Sequence, residues 1–128
     1  YVAFGYMEKI EDGDNCILYN SAAVLDREVV LILNYRKTHL YFNDKFWAKE
    51  GSGFPTFTLK TTAQKELKCT LGICMDINPK DFTSGKYELA DHMVQTNSDV
   101  LVFITNWVDS EKDTIHKNDV AATYQYWI

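Results

Sequence analysis

Lys68-Cys69-Thr70-Leu71-Gly72-Ile73-Cys74-Met75-Asp76-Ile77-Asn78-Pro79 is the stretch on which the reading of this chain turns. An apolar strand pattern rises to a cysteine, then passes into a polar, proline-marked segment ahead of a helical pattern. That is the placement of a nucleophile elbow. The side chain is held out at the edge of a sheet, and the next backbone N–H can donate to an oxyanion. A buried structural cysteine is the commoner occupant of a strand end, so this stretch alone does not separate the two.

Outward from it, the chain reads as one continuous α/β pattern without internal repeat or linker. Strands are predicted at 1–8, 16–25, 29–37, 56–61, 67–75 and 100–107. Glu11-Asp12-Gly13-Asp14-Asn15 is a turn cluster, and Asp26-Arg27-Glu28 is the turn of a hairpin. Residues 39–55 are irregular and carry Gly51, Gly53 and Pro55. A helix is predicted over 85–97, where Leu89, Ala90, Met93 and Val94 form a one-sided apolar stripe. A second is predicted from Thr114, with Asp113 as N-cap. Hairpins followed by strand–helix–strand imply an α/β (α+β) fold, a mixed β-sheet with helices on one face and the other face bare.

Composition bounds the function. The 128 residues are 46% apolar, 14% aromatic and 24% charged, which supplies a core and excludes a disordered chain. Six glycines and two prolines exclude collagen-like and linker-like readings. A net charge of −5 without a basic stripe argues against nucleic-acid binding. The longest uncharged run, Asn15–Leu25, is too short to span a bilayer. Three cysteines, Cys16, Cys69 and Cys74, are an odd count without the spacing of a disulfide framework or a zinc knuckle. No metal constellation or cofactor motif is visible. A reducing, cytoplasmic setting is expected.

The ends are apolar. The chain begins at Tyr1 in an alternating run and stops at Tyr124-Gln125-Tyr126-Trp127-Ile128, whereas domain termini are usually solvated. A segment cut from something longer is expected.

A second cluster, Asn34-Tyr35-Arg36-Lys37-Thr38-His39-Leu40, places Lys37 at a strand end 37 positions before Cys74. A solvated strand end accounts for these charges. So does a lysine aimed into a site, where its ammonium stabilises an oxyanion or a thiolate.

Together the two clusters resemble the carbon–nitrogen hydrolase (nitrilase) superfamily. Tyr35-Arg36-Lys37-Thr38-His39-Leu40 is similar to its lysine motif and Gly72-Ile73-Cys74-Met75-Asp76 to its cysteine motif. Leu18-Tyr19-Asn20-Ser21-Ala22-Ala23-Val24 is similar to the strand before the lysine hairpin. Gly72-Ile73-Cys74-Met75-Asp76-Ile77-Asn78-Pro79, with Asp44, Trp47, Ala48, Glu50, Gly51 and Asn106-Trp107, most resembles the protein N-terminal asparagine/glutamine amidohydrolases within it.

The resemblance implies a four-layer αββα sandwich, of which residues 1–128 are the central part, with N- and C-terminal parts missing. It implies Cys74 as nucleophile and Lys37 with the Met75 backbone N–H as oxyanion stabilisers. The substrate is then a peptide or protein N-terminus whose amide is released as ammonia, as in N-degron processing, without a cofactor. The family's general-base glutamate lies in a Phe-Pro-Glu-like motif upstream of the lysine. None precedes Lys37 here, so residues 1–128 alone are expected to be inactive.

Eight residues after the lysine, where relatives often carry another glutamate, this chain has Lys45 beside Asp44. Either Asp44 takes the role, or the loop is shifted, or the site is altered. Recognition of a substrate α-ammonium calls for a carboxylate, and Glu8, Asp44, Glu50 and Asp109 are candidates, with Trp107 beside them. His92 reads as packing; His39 and His116 have no evident partner. Two other functions fit the same residues: a small-amide hydrolase of ω-amidase or ureidopropionase type, and a non-catalytic paralogue acting as an interaction module. Homo-oligomers are implied by the resemblance alone.

Overall fold

The computed structural model describes residues 1–83 and 85–106. Strands β1 (Val2–Asp12) and β2 (Asn15–Leu25) form an antiparallel hairpin in register from Val2 opposite Leu25 to Asp12 opposite Asn15. Its turn is narrower than the predicted cluster: it comprises Gly13 and Asp14, with Gly13 at φ +60°, where a side chain is strained. Strand β1 therefore runs past residue 8, carried by the ladder rather than by its own polar sequence.

Strand β3 (Leu31–Arg36) adds antiparallel to β2. It starts two residues later than the apolar run predicts, because Asp26 captures the chain. Its carboxylate accepts the Glu28 and Val30 N–H groups at 3.0 and 2.8 Å, which closes an Asx-type turn and leaves Val29 at φ +64°.

A second sheet holds β4 (Thr56–Lys60), β5 (Glu66–Ile73) and β6 (Val100–Ile104), with β4–β5 antiparallel and β5–β6 parallel. The mixed sheet is thus one of two. Ala22, Val24 and Tyr35 of the first sheet pack against Leu71 and Ile73 of the second, which forms the core. Each fully buried Val or Leu here contributes about 1.5–3 kcal/mol.

Helix α1 (Glu88–Thr96) connects β5 to β6 and lies on the far side of the second sheet. Gly72 alternates with Leu71 and Ile73 and so faces the helix, where a Cβ would come 2.9 Å from Leu89 Cδ2. The helix ends at Asn97, whose left-handed backbone (φ +51°) returns its N–H to Met93 and Val94 carbonyls. Its buried side differs from the predicted stripe. Leu89 is buried and Met93 half-buried, but Ala90 and Val94 face solvent, Val94 at 76% exposure. His92 packs near Phe54, as expected of a packing residue. The outer side of the first sheet has no helix over it among the described residues, and Phe4 and Tyr6 are exposed there. The helix predicted from Thr114 lies outside the described residues.

Candidate active site

Lys37 leaves the end of β3 and Cys74 leaves the end of β5, so the two motifs come from different sheets. They meet at a cavity of about 310 Å³ that both line, together with Gly5, Asn20, Tyr41, Asn43, Asp44 and Asn106.

Cys74 opens a tight 3-10 turn (Cys74–Ile77) with φ at +46°. A non-glycine residue costs roughly 1–2 kcal/mol in this left-handed region. This is the strain expected of an elbow, where a sharp strand-to-turn reversal projects the nucleophile. Met75 follows with its side chain buried, 3% exposed.

Lys37 is 2% exposed and held from several directions. Its N–H donates to the Asn20 carbonyl and its carbonyl accepts from Gly51 N–H, both at 2.8 Å. Gly51 is needed there: a Cβ would sit 2.0 Å from the Arg36 carbonyl oxygen. The ammonium donates to Asp44 Oδ2 at 2.6 Å. Asp44 also accepts Tyr41 N–H at 3.0 Å and Asn20 Nδ2–H at 3.2 Å. A buried ammonium requires such a counter-charge, and a carboxylate with three donors supplies it.

In the post-lysine loop it is Asp44 that meets the Lys37 ammonium. Lys45 points away to an exposed ion pair with Asp81, so it does not oppose the charge of Lys37. Glu50 likewise faces outward and accepts from Lys80 at 2.8 Å.

Glu8 is on the wrong side of the sheet for this cavity. It sits opposite Tyr19, on the face away from Ala22 and Val24. There it takes a two-pronged Arg36 contact (2.9 and 2.8 Å), Ser21 Oγ–H at 2.7 Å and Asn34 Nδ2–H at 3.1 Å. The Arg36 hydrogen bonds dominate and hold its carboxyl down to about 2. Arg36 also stacks on Tyr19, 4.1 Å from the ring centroid. Trp107 and Asp109 lie outside the described residues.

Two residues that sequence reasoning did not place in the site emerge from the fold. Asn20 is polar at an inward position of β2, in step with Ala22 and Val24, and that break in alternation was its signal. Asp76 is fully buried and accepts from Tyr35 Oη (2.7 Å), His39 N (2.8 Å), Thr38 N (3.2 Å) and Ile73 N (2.8 Å). Burial pushes its carboxyl above the usual carboxylate range, and the His39, Tyr35 and Ile73 hydrogen bonds and the Lys37 charge oppose that push. His39 does have partners: its Nδ1 lies 3.0 Å from the Asn78 carbonyl, and Phe54 meets its ring edge-on.

Among the described residues no helix is long and apolar enough to cross a membrane, and no cluster of His, Cys, Asp or Glu has a metal-binding arrangement.

Comparison with known proteins agrees with this geometry. A protein N-terminal amidase of Saccharomyces cerevisiae is 31% identical over 94% of this chain and 30% of its own length. One from Schizosaccharomyces pombe is 33% identical over 74% of this chain and 33% of its own. The chain thus spans about a third of the length of the curated relatives it matches. A crystal structure of an N-terminal amidase with an Asn-Glu-Ala peptide superposes with a TM-score of 0.71 at 29% identity, covering 98% of this chain and 33% of that one. The carbon–nitrogen hydrolase profile matches residues 1–83, nearly two-thirds of the sequence and both sheets up to the cysteine turn. The chain belongs to the carbon–nitrogen hydrolase family.

Proposed function

We propose that this chain carries the nucleophile and the oxyanion-stabilising lysine of a thiol amidase that deamidates N-terminal asparagine or glutamine of proteins. The convergence of a left-handed Cys74 and a buried Lys37–Asp44 pair on one cavity carries this reading. In it, Cys74 Sγ attacks the carboxamide carbon. The oxygen takes the negative charge and is met by the Lys37 ammonium and Met75 N–H, the latter near the start of a turn where N–H groups have no partner within the helix. Collapse breaks the C–N bond, ammonia leaves with a proton, and a thioester remains. Water hydrolyses the thioester to the carboxylate and returns the thiol.

A thiol gives up its proton as it attacks, so the step calls for a base. Asp44 is the one carboxylate lining the cavity among the described residues, and it is engaged by Lys37, Tyr41 and Asn20. The base in this reading is the glutamate that the family resemblance places upstream of Lys37, in a longer protein of which residues 1–128 are the central part, and residues 1–128 alone are expected not to turn over. Free thiols at Cys16, Cys69 and Cys74 support a cytoplasmic setting.

The similarity to amidases solved with Asn-Glu-Ala and Gln-Gly peptides supports peptide N-termini as the substrate class. The test is ammonia release by the full-length protein from an Asn-initiated peptide, compared with a free small amide. Preference for the peptide, lost in Cys74→Ala, is expected. Preference for the small amide moves the protein to an ω-amidase-like activity, and no release from either removes the catalytic reading.

A further inference from the structure

The two proposed catalytic side chains belong to different sheets, and the contact between those sheets is mainly apolar: Ala22, Val24 and Tyr35 against Leu71 and Ile73. Such packing is dense but non-directional, so it sets the spacing of the sheets without aiming a side chain on one at a side chain on the other. Amide attack needs aim, since an error of about 1 Å can cost roughly a hundredfold in rate. Something directional must join the two strand ends.

The structure assigns that task to Asp76: we infer that its carboxylate is a positioning residue that holds Lys37 and Cys74 in register across the sheet interface. Oδ1 accepts the N–H groups of Thr38 and His39, the two residues that follow Lys37, at 3.2 and 2.8 Å. Oδ2 accepts the N–H of Ile73, the residue before Cys74, at 2.8 Å, and the hydroxyl of Tyr35, two residues before Lys37, at 2.7 Å. One side chain therefore grips both approaches to the lysine and the approach to the cysteine. The bond to Ile73 also braces the turn that keeps Cys74 at φ +46°.

The residue type follows from the donors. The three backbone partners can only donate, Thr38 and His39 to Oδ1 and Ile73 to Oδ2, so both oxygens must accept, which a carboxylate does. An amide would turn an NH2 toward at least one of these N–H groups. The other polar links between these loops cannot substitute. Lys45–Asp81 and Lys80–Glu50 are half-exposed, and side chains in such pairs are free to rearrange. The ring of His39 meets the Asn78 carbonyl four residues beyond Cys74, not the residues flanking the cysteine.

The inference rests on the reading of Cys74 and Lys37 as working partners, and its test separates the two. In the full-length protein, Asp76→Asn is expected to lower kcat on an Asn-initiated peptide by roughly 30- to 100-fold per folded molecule, with KM changed by less than about threefold. Alkylation of Cys74 by iodoacetamide, measured against exposed Cys16 in the same molecule, should shift at least about fivefold. Tyr35→Phe removes one donor and leaves the carboxylate. It should lower kcat by about three- to tenfold with KM unchanged. If Asp76→Asn melts earlier yet keeps its kcat and its Cys74-to-Cys16 ratio, Asp76 is structural only and the inference fails. If Asp76→Asn does not fold, Tyr35→Phe decides, and unchanged kcat and labelling ratio overturn it. Should the parent protein release no ammonia, the proposed function fails while the labelling ratio still reports on Asp76.

Discussion

Lys37 Nζ donates to Asp44 Oδ2 at 2.6 Å in a pocket where the lysine is 2% exposed, so the ammonium at this cavity is neutralised within its own loop. This pairing fixes the ammonium at the cavity that Cys74 also lines, while Lys45, one position on, is engaged elsewhere by Asp81.

Removing Asp44 should therefore be costly in two ways. Asp44→Ala leaves a buried ammonium unpaired and is expected to destabilise the fold by about 3–5 kcal/mol. It should also lower amide hydrolysis at least about a hundredfold, the scale of losing one oxyanion donor. Lys45→Ala, on an exposed pair, should cost less than about 1 kcal/mol and leave turnover nearly unchanged. Urea denaturation and ammonia release measure both.

The left-handed backbone of Cys74 can be weighed directly. At an ordinary strand or turn position glycine is less stable than alanine, because the unfolded chain gains freedom. At φ +46° the order should invert, with Cys74→Gly equal to or more stable than Cys74→Ala by about 1 kcal/mol, both being inactive. An alanine variant that is clearly the more stable of the two would show that the elbow carries no strain.

Glu8 gives a pH signature. Its carboxyl is ordinary, near 4.5, in the unfolded chain and held down to about 2 in the fold, chiefly by Arg36. The fold therefore binds this proton less readily than the unfolded chain. The stabilisation is present above about pH 4.5 and is lost as pH falls toward about 2. Glu8→Gln should lower stability at pH 7 by about 1–2 kcal/mol, a figure reduced by the partial exposure of Arg36. The gap between parent and variant should close across that acid window. Any opposing titration of Asp76 is common to both proteins and cancels.

Gly51 is expected to be intolerant of any side chain. A Cβ would meet the Arg36 carbonyl at 2.0 Å, and backbone cannot yield as a side-chain tip can. Gly51→Ala should displace the Gly51 N–H bond to Lys37 and destabilise by about 1–3 kcal/mol. Gly72→Ala would press on the movable Leu89 Cδ2 at 2.9 Å, with Phe103 and Asp76 at ordinary contact distance, and should be milder. Thermal melts of the two variants give the comparison.

Much of the fold was legible because its signals are local. The mostly apolar, uncharged run over 16–25 marks β2, the apolar run before Cys74 marks β5, and Gly13 marks the first turn. The boundaries that shifted did so for reasons outside such patterns. Asp26 captured Val30 through its side chain, and β1 was lengthened by the strand it pairs with. Helix α1 buries Leu89 but exposes Val94, because the sheet beneath it meets only part of the apolar stripe.

For the proposed site, the strand-end positions of Cys74 and Lys37 and their order along the chain were readable in the sequence by itself, and the family resemblance supplied the roles proposed for them. Their company was not. That Asp44 rather than Lys45 meets Lys37, that Glu8 is consumed by Arg36 on the opposite face, and that Asp76 joins the two strand ends were decided by tertiary structure alone. The physical reason is geometric. Side chains alternate faces along a strand, so strand pairing and loop path choose which of several neighbouring carboxylates points inward, and residues 37 to 41 apart on the chain come within bonding distance only when two sheets close on each other.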